Sequence, residues 1–187
     1  MWDNAGVSVS TDMRNLPSQA LSSMSNTDEI LVLTTGGTFD KIYFDAKSSF
    51  EVGHSVVGDL LAQAVVKKAF VINELLRKDS LELTDADRAQ IRDVVVNSAH
   101  DKIVITHGTD TMTDTGRVLA DIPNKTIVLT GALSPARFAE TDAMFNLGMA
   151  FAAAQTCAPG VYITMNGTVF DARQVAKDRS RNAFIAT

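Results

Sequence analysis

A single cysteine, Cys157, excludes an internal disulfide and a cysteine-rich metal site, and gives no support to an oxidising compartment. Histidine is scarce as well. His54, His100 and His107 have no ligand spacing of the H-E-x-x-H kind, so no catalytic metal is expected. Positive charge is not in excess: 17 basic and 22 acidic residues give a net charge of -5, dispersed along the chain. Without a basic stripe for phosphate backbones, nucleic acid is not an expected partner. Residues 1–27 have no cationic start and no sustained apolar core, because Asp3, Asp12 and Arg14 interrupt every short apolar run. That excludes a secretory signal; the segment reads as a flexible tail rather than a docked arm, and cytoplasm is the default location. Asn124-Lys125-Thr126 and Asn166-Gly167-Thr168 fit the glycosylation pattern, but without a secretion signal they read as turn residues.

What the chain does have is apolar patterning. At 187 residues and 45% hydrophobic it suffices for one well-cored domain, expected over 28–187, with one active site. Ile30–Leu33, Phe70–Ile72 and the runs 103–106, 126–130 and 161–165 are short and continuously aliphatic, as strands buried on both faces are. Helices are expected between them. One covers 57–66; a second follows the N-cap Thr84 with a stripe of Ile91, Val94, Val95 and Ala99; others lie at about 112–121 and 139–154. Residues 35–55, with their glycines, aspartates and serines, read as a long polar loop. The alternation predicts an α/β fold of three layers, α/β/α, with a mainly parallel sheet of the Rossmann or flavodoxin-like kind.

Parallel sheets bind ligands beyond the carboxyl ends of their strands. Those ends read Thr35-Gly36-Gly37-Thr38, Asp79-Ser80, His107-Gly108-Thr109-Asp110-Thr111, Thr130-Gly131-Ala132 and Met165-Asn166-Gly167-Thr168. All are small, polar or glycine-rich, which points to one polar pocket. A threonine hydroxyl is a weak nucleophile until a neighbour takes its proton. Thr38 and Thr109 are both candidates, with Asp110 and Lys177 as acceptor and cation for a proton relay, Tyr43 on the loop past Thr38, and glycine-flanked N–H groups near both threonines as oxyanion donors. Each residue also has a plainer reading. Thr38 fits an ordinary turn, Asp110 a helix N-cap, Lys177 a solvated surface lysine, Tyr43 packing, and His107 a partner of backbone groups. From the residues alone, an acyl-transfer enzyme and a small-anion binding module both fit.

Thr35-Gly36-Gly37-Thr38-Phe39 and His107-Gly108-Thr109-Asp110-Thr111-Met112 together resemble the two signature motifs of the bacterial-type L-asparaginases. Asp79-Ser80 before Thr84, Leu129-Thr130-Gly131-Ala132, and the run from Met165 through Arg173 to Lys177 reinforce the likeness, which covers about 28–187. The resemblance implies the N-terminal-domain fold of that family, in a short form without the usual C-terminal domain. It implies hydrolysis of L-asparagine to L-aspartate and ammonia through a threonine acyl-enzyme, with no metal or cofactor, in a homodimer or homotetramer. Carried over by position, Thr38 matches the acylated nucleophile and Tyr43 the activating tyrosine. Thr109, Asp110 and Lys177 match the proton-transfer and substrate-binding group, with Asp110 facing the α-amino group. Ser80 and Asp79 match the segment that grips the α-carboxylate, and Gly37 and Gly108 line the same site. Two other readings compete: an amino-acid sensor that keeps the pocket, and an amidase within a complex that transamidates charged tRNA.

Overall fold

The computed structural model describes residues 28–44 and 49–187, so the expected N-terminal tail lies outside the described residues. The centre is a six-stranded sheet in the order β4-β1-β5-β6-β7-β8. Its strands are β1 (Ile30–Gly36), β4 (Phe70–Lys78), β5 (Lys102–Thr106), β6 (Thr126–Thr130), β7 (Gly160–Met165) and β8 (Thr168–Asp171). The first five pair in parallel and β8 returns antiparallel to β7. Helices α1 (Val57–Gln63) and α4 (Ala143–Thr156) cover one face, and α2 (Asp85–Asn97) and α3 (Met112–Leu119) the other. This is the expected three-layer arrangement.

The two-residue period of a strand accounts for the layering. Leu31, Leu33, Ile103, Ile105, Ile127 and Leu129 point into the core shared with Ile91, Val95, Met112 and Leu119. Ile30, Val32, Val104 and Val128 point the other way, onto Leu60, Leu61, Ala143, Leu147 and Ala150. On this second face the next register row is Thr34, Thr106, Thr130 and Thr164, one per strand and all fully buried. There the apolar interior gives way to a polar layer near the strand ends. Asn124 and Asn166 take φ of 59° and 52°, the left-handed turn conformation that asparagine tolerates, in keeping with their reading as turn residues.

The structure departs from expectation in several places. Residues 35–55 are not one long loop: β2 (Lys41–Phe44) and β3 (Ser49–Val52) form an antiparallel hairpin. Tyr43 pairs with Phe50 there, their rings 5.4 Å apart edge to face, a cross-strand aromatic contact that outweighs the polar composition around it. Helix α1 stops at Gln63 in a Schellman turn, with Val66 N–H bonded to Leu61 C=O and Val65 at φ 53°. Helix α2 ends at Asn97, so Ala99 is exposed rather than part of its stripe. Helix α4 begins at Ala143, not 139, because Asp142 turns back to accept the Leu133 and Ser134 N–H groups. Beyond β7 a short two-stranded sheet was not anticipated: β9 (Val175–Asp178) and β10 (Ala183–Ala186), antiparallel, with Phe184 opposite Lys177. Among the described residues no helix is long and apolar enough to cross a membrane.

Asp87 ties the sheet to α2. Its carboxylate closes a capping box with Thr84 and accepts the Lys78 ammonium of β4 at 2.8 Å. The Lys78 contact and the Thr84 bonds hold its carboxyl down at about 2, against 3.8 for a free aspartate. A depressed carboxylate stabilises the fold above the unfolded value, and that contribution is lost as pH falls from 3.8 through about 2. Asp87→Ala is expected to cost about 0.5–2 kcal/mol, the usual range for a lost cap, with the difference from wild type shrinking below pH 3.8. Urea melts at pH 7 and pH 3 check both parts.

Candidate active site

At the carboxyl ends of β1, β4 and β5 the chain packs backbone against backbone. Gly36 and Gly37 have φ of 94° and 80°, and Gly37 N–H donates to Lys78 C=O at 2.9 Å. A methyl group on Gly37 would lie 2.4 Å from the Cα and N of Gly108, and one on Gly108 would lie 2.5 Å from Ser80 Oγ. Only glycine fits either position. Thr35 Oγ1 donates to Thr106 C=O at 2.9 Å, and Thr111 Oγ1 to Ser80 C=O at 2.7 Å, joining the same three strand ends. Thr38 follows directly, as the first residue of a 3-10 turn, Thr38–Asp40.

His107 supports this floor from beneath. It is fully buried, with Nδ1 2.7 Å from Gly108 C=O and Nε2 2.8 Å from Thr115 Oγ1. A carbonyl only accepts, so Nδ1 carries the proton and Nε2 accepts from the threonine. Burial is the main cause that pushes the imidazole down to about 4, with the Arg88 charge adding to it, against the pull of Gly108 C=O and Asp114. His107 is thus a neutral strut that orients the backbone before Thr109.

The ammonium of Lys177 reaches Thr109 Oγ1 and Asp110 Oδ1, each at 2.8 Å. Period-2 geometry explains how a residue so distant in sequence arrives there: Val175 and Lys177 share a face of β9, and Val175 is fully buried. Phe184, opposite Lys177, is also in the core and anchors the small sheet. Lys177 is therefore not a solvated surface lysine; its side chain is 12% exposed, against 34% for Asp110. Asp110 is not a helix N-cap either, since Thr111 holds that position for α3. Arg179, absent from the sequence reading, places Nε 4.0 Å from Asp110 Oδ1 as a second cation.

Not every candidate converges. Gly37 N–H is already bonded to Lys78 C=O and is no oxyanion donor, whereas the Gly108 and Thr109 N–H groups have no carbonyl partner among the described residues. Asp79 turns its carboxylate toward Lys41 of the hairpin at 2.8 Å and caps Leu81 N–H, so it faces a cation of the protein itself. Burial would raise its carboxyl, but the Lys41 and Leu81 hydrogen bonds hold it below the ordinary value. Ser80 is 1% exposed, its Oγ lying against Gly108 with no hydrogen-bond partner among the described residues. Tyr43 stands on the hairpin, half exposed, packed on Phe50 and away from any hydrogen bond to Thr38. Beside these residues, a pocket of about 410 Å³ opens between hairpin and β4, lined by Lys41, Phe50, Arg77 and Asp79 among others. No cluster of three or more His, Cys, Asp or Glu side chains suited to a metal exists among the described residues.

Comparison with known proteins matches residues 29–186 to the family model described as asparaginase, N-terminal. The glutaminase-asparaginase of Acinetobacter glutaminasificans is 30% identical over 167 residues, 80% of this chain and 50% of that protein. L-asparaginase 2 of Escherichia coli is 35% identical over 167 residues, 79% of this chain and 46% of that one. Among solved structures, the thermostable L-asparaginase from Thermococcus kodakarensis superposes with a TM-score of 0.73 at 29% identity, covering 84% of this chain and 51% of that chain. The chain spans about half the length of the curated relatives it matches.

The His107 geometry has a spectroscopic consequence. Its ring is expected to stay neutral, as the Nδ1–H tautomer, until pH approaches about 4. Imidazole 15N shifts recorded from pH 7 to 4 check this; half-protonation near the ordinary 6.5 would contradict the buried strut.

Proposed function

Because the chain belongs to the asparaginase family, matched over its N-terminal domain, we propose that it is an amidohydrolase that converts L-asparagine to L-aspartate and ammonia through an acyl-enzyme on Thr38. The observation that carries this reading is the contact of Lys177 with both Thr109 Oγ1 and Asp110 at 2.8 Å, beside the glycine floor from which Thr38 emerges. A lysine held between a hydroxyl and a carboxylate is the kind of pairing that moves a proton, and a merely structural lysine has no need of a threonine partner.

In this mechanism Thr38 Oγ attacks the side-chain amide carbonyl of asparagine, and its proton passes to the departing nitrogen. The C–N bond breaks, ammonia leaves, and the aspartyl group remains as an ester on Thr38. Water then attacks the ester and restores the hydroxyl. The oxyanion of each step is met by the N–H groups of Gly108 and Thr109, which have no carbonyl partner among the described residues. Thr109, polarised by Lys177, relays the proton, and Asp110 receives the substrate's α-ammonium on its exposed side. The hydroxyl of Ser80 suits an α-carboxylate, because it is buried and lacks a hydrogen-bond partner among the described residues. Asp79 does not suit that group, being itself an anion paired to Lys41. Tyr43 acts from the hairpin, which has to bring its phenol over Thr38. Neither metal nor organic cofactor enters, and assembly as a homodimer or homotetramer in the cytoplasm completes the reading.

Ammonia release by the purified protein, with asparagine and glutamine compared, is the direct test. Turnover of asparagine without added metal is expected. Glutamine should be poorer by roughly 10–200-fold, since one methylene moves its amide away from Thr38 while the α-groups stay held. Binding of asparagine without ammonia release would favour the sensor instead. Lys177→Met should preserve the fold yet lower kcat by roughly 10²–10⁴-fold, the range for a lost proton-transfer group, with a smaller change in KM. Wild-type turnover in that variant would remove Lys177 from the mechanism.

A further inference from the structure

The 3-10 turn that presents Thr38 ends in a carboxylate with no part in the chemistry above. Asp40 is 1% exposed, yet it is an aspartate two residues from the attacking hydroxyl. Its Oδ1 accepts Val56 N–H, at the start of α1, at 3.0 Å, and its backbone C=O accepts Gly53 N–H at 2.9 Å. Its own N–H donates to Gly37 C=O at 3.2 Å, closing the turn on the residue before Thr38. From the opposite side Ala136 N–H bonds Phe39 C=O at 3.2 Å, and the Phe39 ring is fully buried. Thr38, whose hydroxyl has no partner among the described residues, is thus held by what its two successors grip.

We propose that Asp40 is a positioning residue for Thr38: its buried carboxyl group fastens the 3-10 turn to the start of α1, and loss of that acceptor loosens the turn. A carboxyl oxygen accepts Val56 N–H in either protonation state; the ionised form makes the stronger bond but is the form that burial disfavours. The groups around it set a balance within the working range of pH. Burial pushes the carboxyl up to about 6, while Val56 N–H, the Ser55 hydroxyl and the more distant Arg137 draw it down and the Glu74 charge raises it. Glu74, on β4, is itself engaged by Arg77 and His54, and Lys41, next in the chain, is taken by Asp79. Asp40 therefore has no close cation of its own among these; burial outweighs the hydrogen bonds, so the closed turn favours the protonated carboxyl and its anchor weakens as pH rises through about 6.

This inference rests on Thr38 as the attacking group, and its test separates the two. In steady-state kinetics with asparagine, Asp40→Ala is expected to lower kcat by roughly 10–100-fold with KM little changed, the effect of displacing a reacting group by a fraction of an ångström to an ångström. Asp40→Asn, which keeps an acceptor oxygen for Val56 N–H, should recover most of that loss. A loss of amide protection at residues 38–40 as pH rises through about 6 is expected in the wild type and should be absent in Asp40→Asn, which cannot ionise. Amide hydrogen exchange provides the arm that needs no turnover: in Asp40→Ala, Val56 and residues 38–40 should lose protection together while β5 and β6 keep theirs. Wild-type kcat in Asp40→Ala, the same pH-dependent loss of protection in Asp40→Asn, or full protection of 38–40 in Asp40→Ala would each overturn the proposal. A wild-type protein that releases no ammonia, but whose exchange responds as described, would refute the attacking role of Thr38 and uphold the anchor.

Discussion

Everything at the carboxyl edge of this sheet depends on the absence of three atoms: the Cβ atoms of Gly36, Gly37 and Gly108. A methyl group at Gly36 would meet Lys78 C=O at 2.7 Å, and those at Gly37 and Gly108 would meet backbone and Ser80 at 2.4–2.6 Å. Parallel strands lie about 4.8 Å apart, and loops leaving their ends normally spread from one another. Here they close instead, so the residues that follow each glycine, Thr38 and Thr109, emerge from one floor. The positive φ of Gly36 and Gly37 and the contact between the loops are parts of a single steric requirement.

The second determinant is topological. Lys177 comes from a two-stranded sheet outside the main one, seated by Val175 and Phe184 in the core beneath β7 and β8. Its place beside Thr109 therefore depends on packing between segments almost 70 residues apart, and the ion pair with Asp110 fixes the end of a side chain whose strand is already anchored. Partial burial strengthens such a pair relative to one on the open surface, because less solvent screens it. The hairpin is attached more lightly, through Lys41 to Asp79 and through Phe50 to Phe138 at 5.9 Å, contacts that leave their aromatic rings about half exposed. A rigid floor thus faces a wall with far less burial.

The sheet was legible in the sequence because strands covered on both faces read as aliphatic runs, and 103–106 and 126–130 agree with β5 and β6 to within a residue. The hairpin was hidden: its strands are four residues long, one pair of aromatic rings supplies their contact, and the surrounding polar residues read as loop. Strands β8–β10 were missed for the same reason of length. For the site, local pattern identified the strand-end motifs but left Thr38, Asp110 and Lys177 with ordinary alternatives, which are resolved for Asp110 and Lys177 only by tertiary contact. Asp40 and Arg179 carried no sequence signal, since burial of one and approach of the other are set by elements far along the chain. Asp79 matched by position, yet its ion pair with Lys41 depends on a hairpin that composition did not reveal.

Two buried groups described separately, His107 and Asp40, have opposite proton linkage. In the unfolded chain an imidazole titrates near 6.5 and an aspartate near 3.8; in the fold they stand at about 4 and about 6. The lowered histidine withdraws stability as pH falls from 6.5 toward 4, whereas the raised aspartate withdraws it as pH rises from 3.8 toward 6. Between those limits the unfolded chain carries an imidazolium and a carboxylate, and the folded one a neutral ring and a neutral acid. Folding in mildly acidic solution is then, at these two residues, an internal neutralisation: a proton leaves one side chain, another takes one up, and the net charge of the molecule is unchanged. Their slopes offset, so the pair makes little demand on the buffer even though each member alone would make the fold strongly pH-dependent.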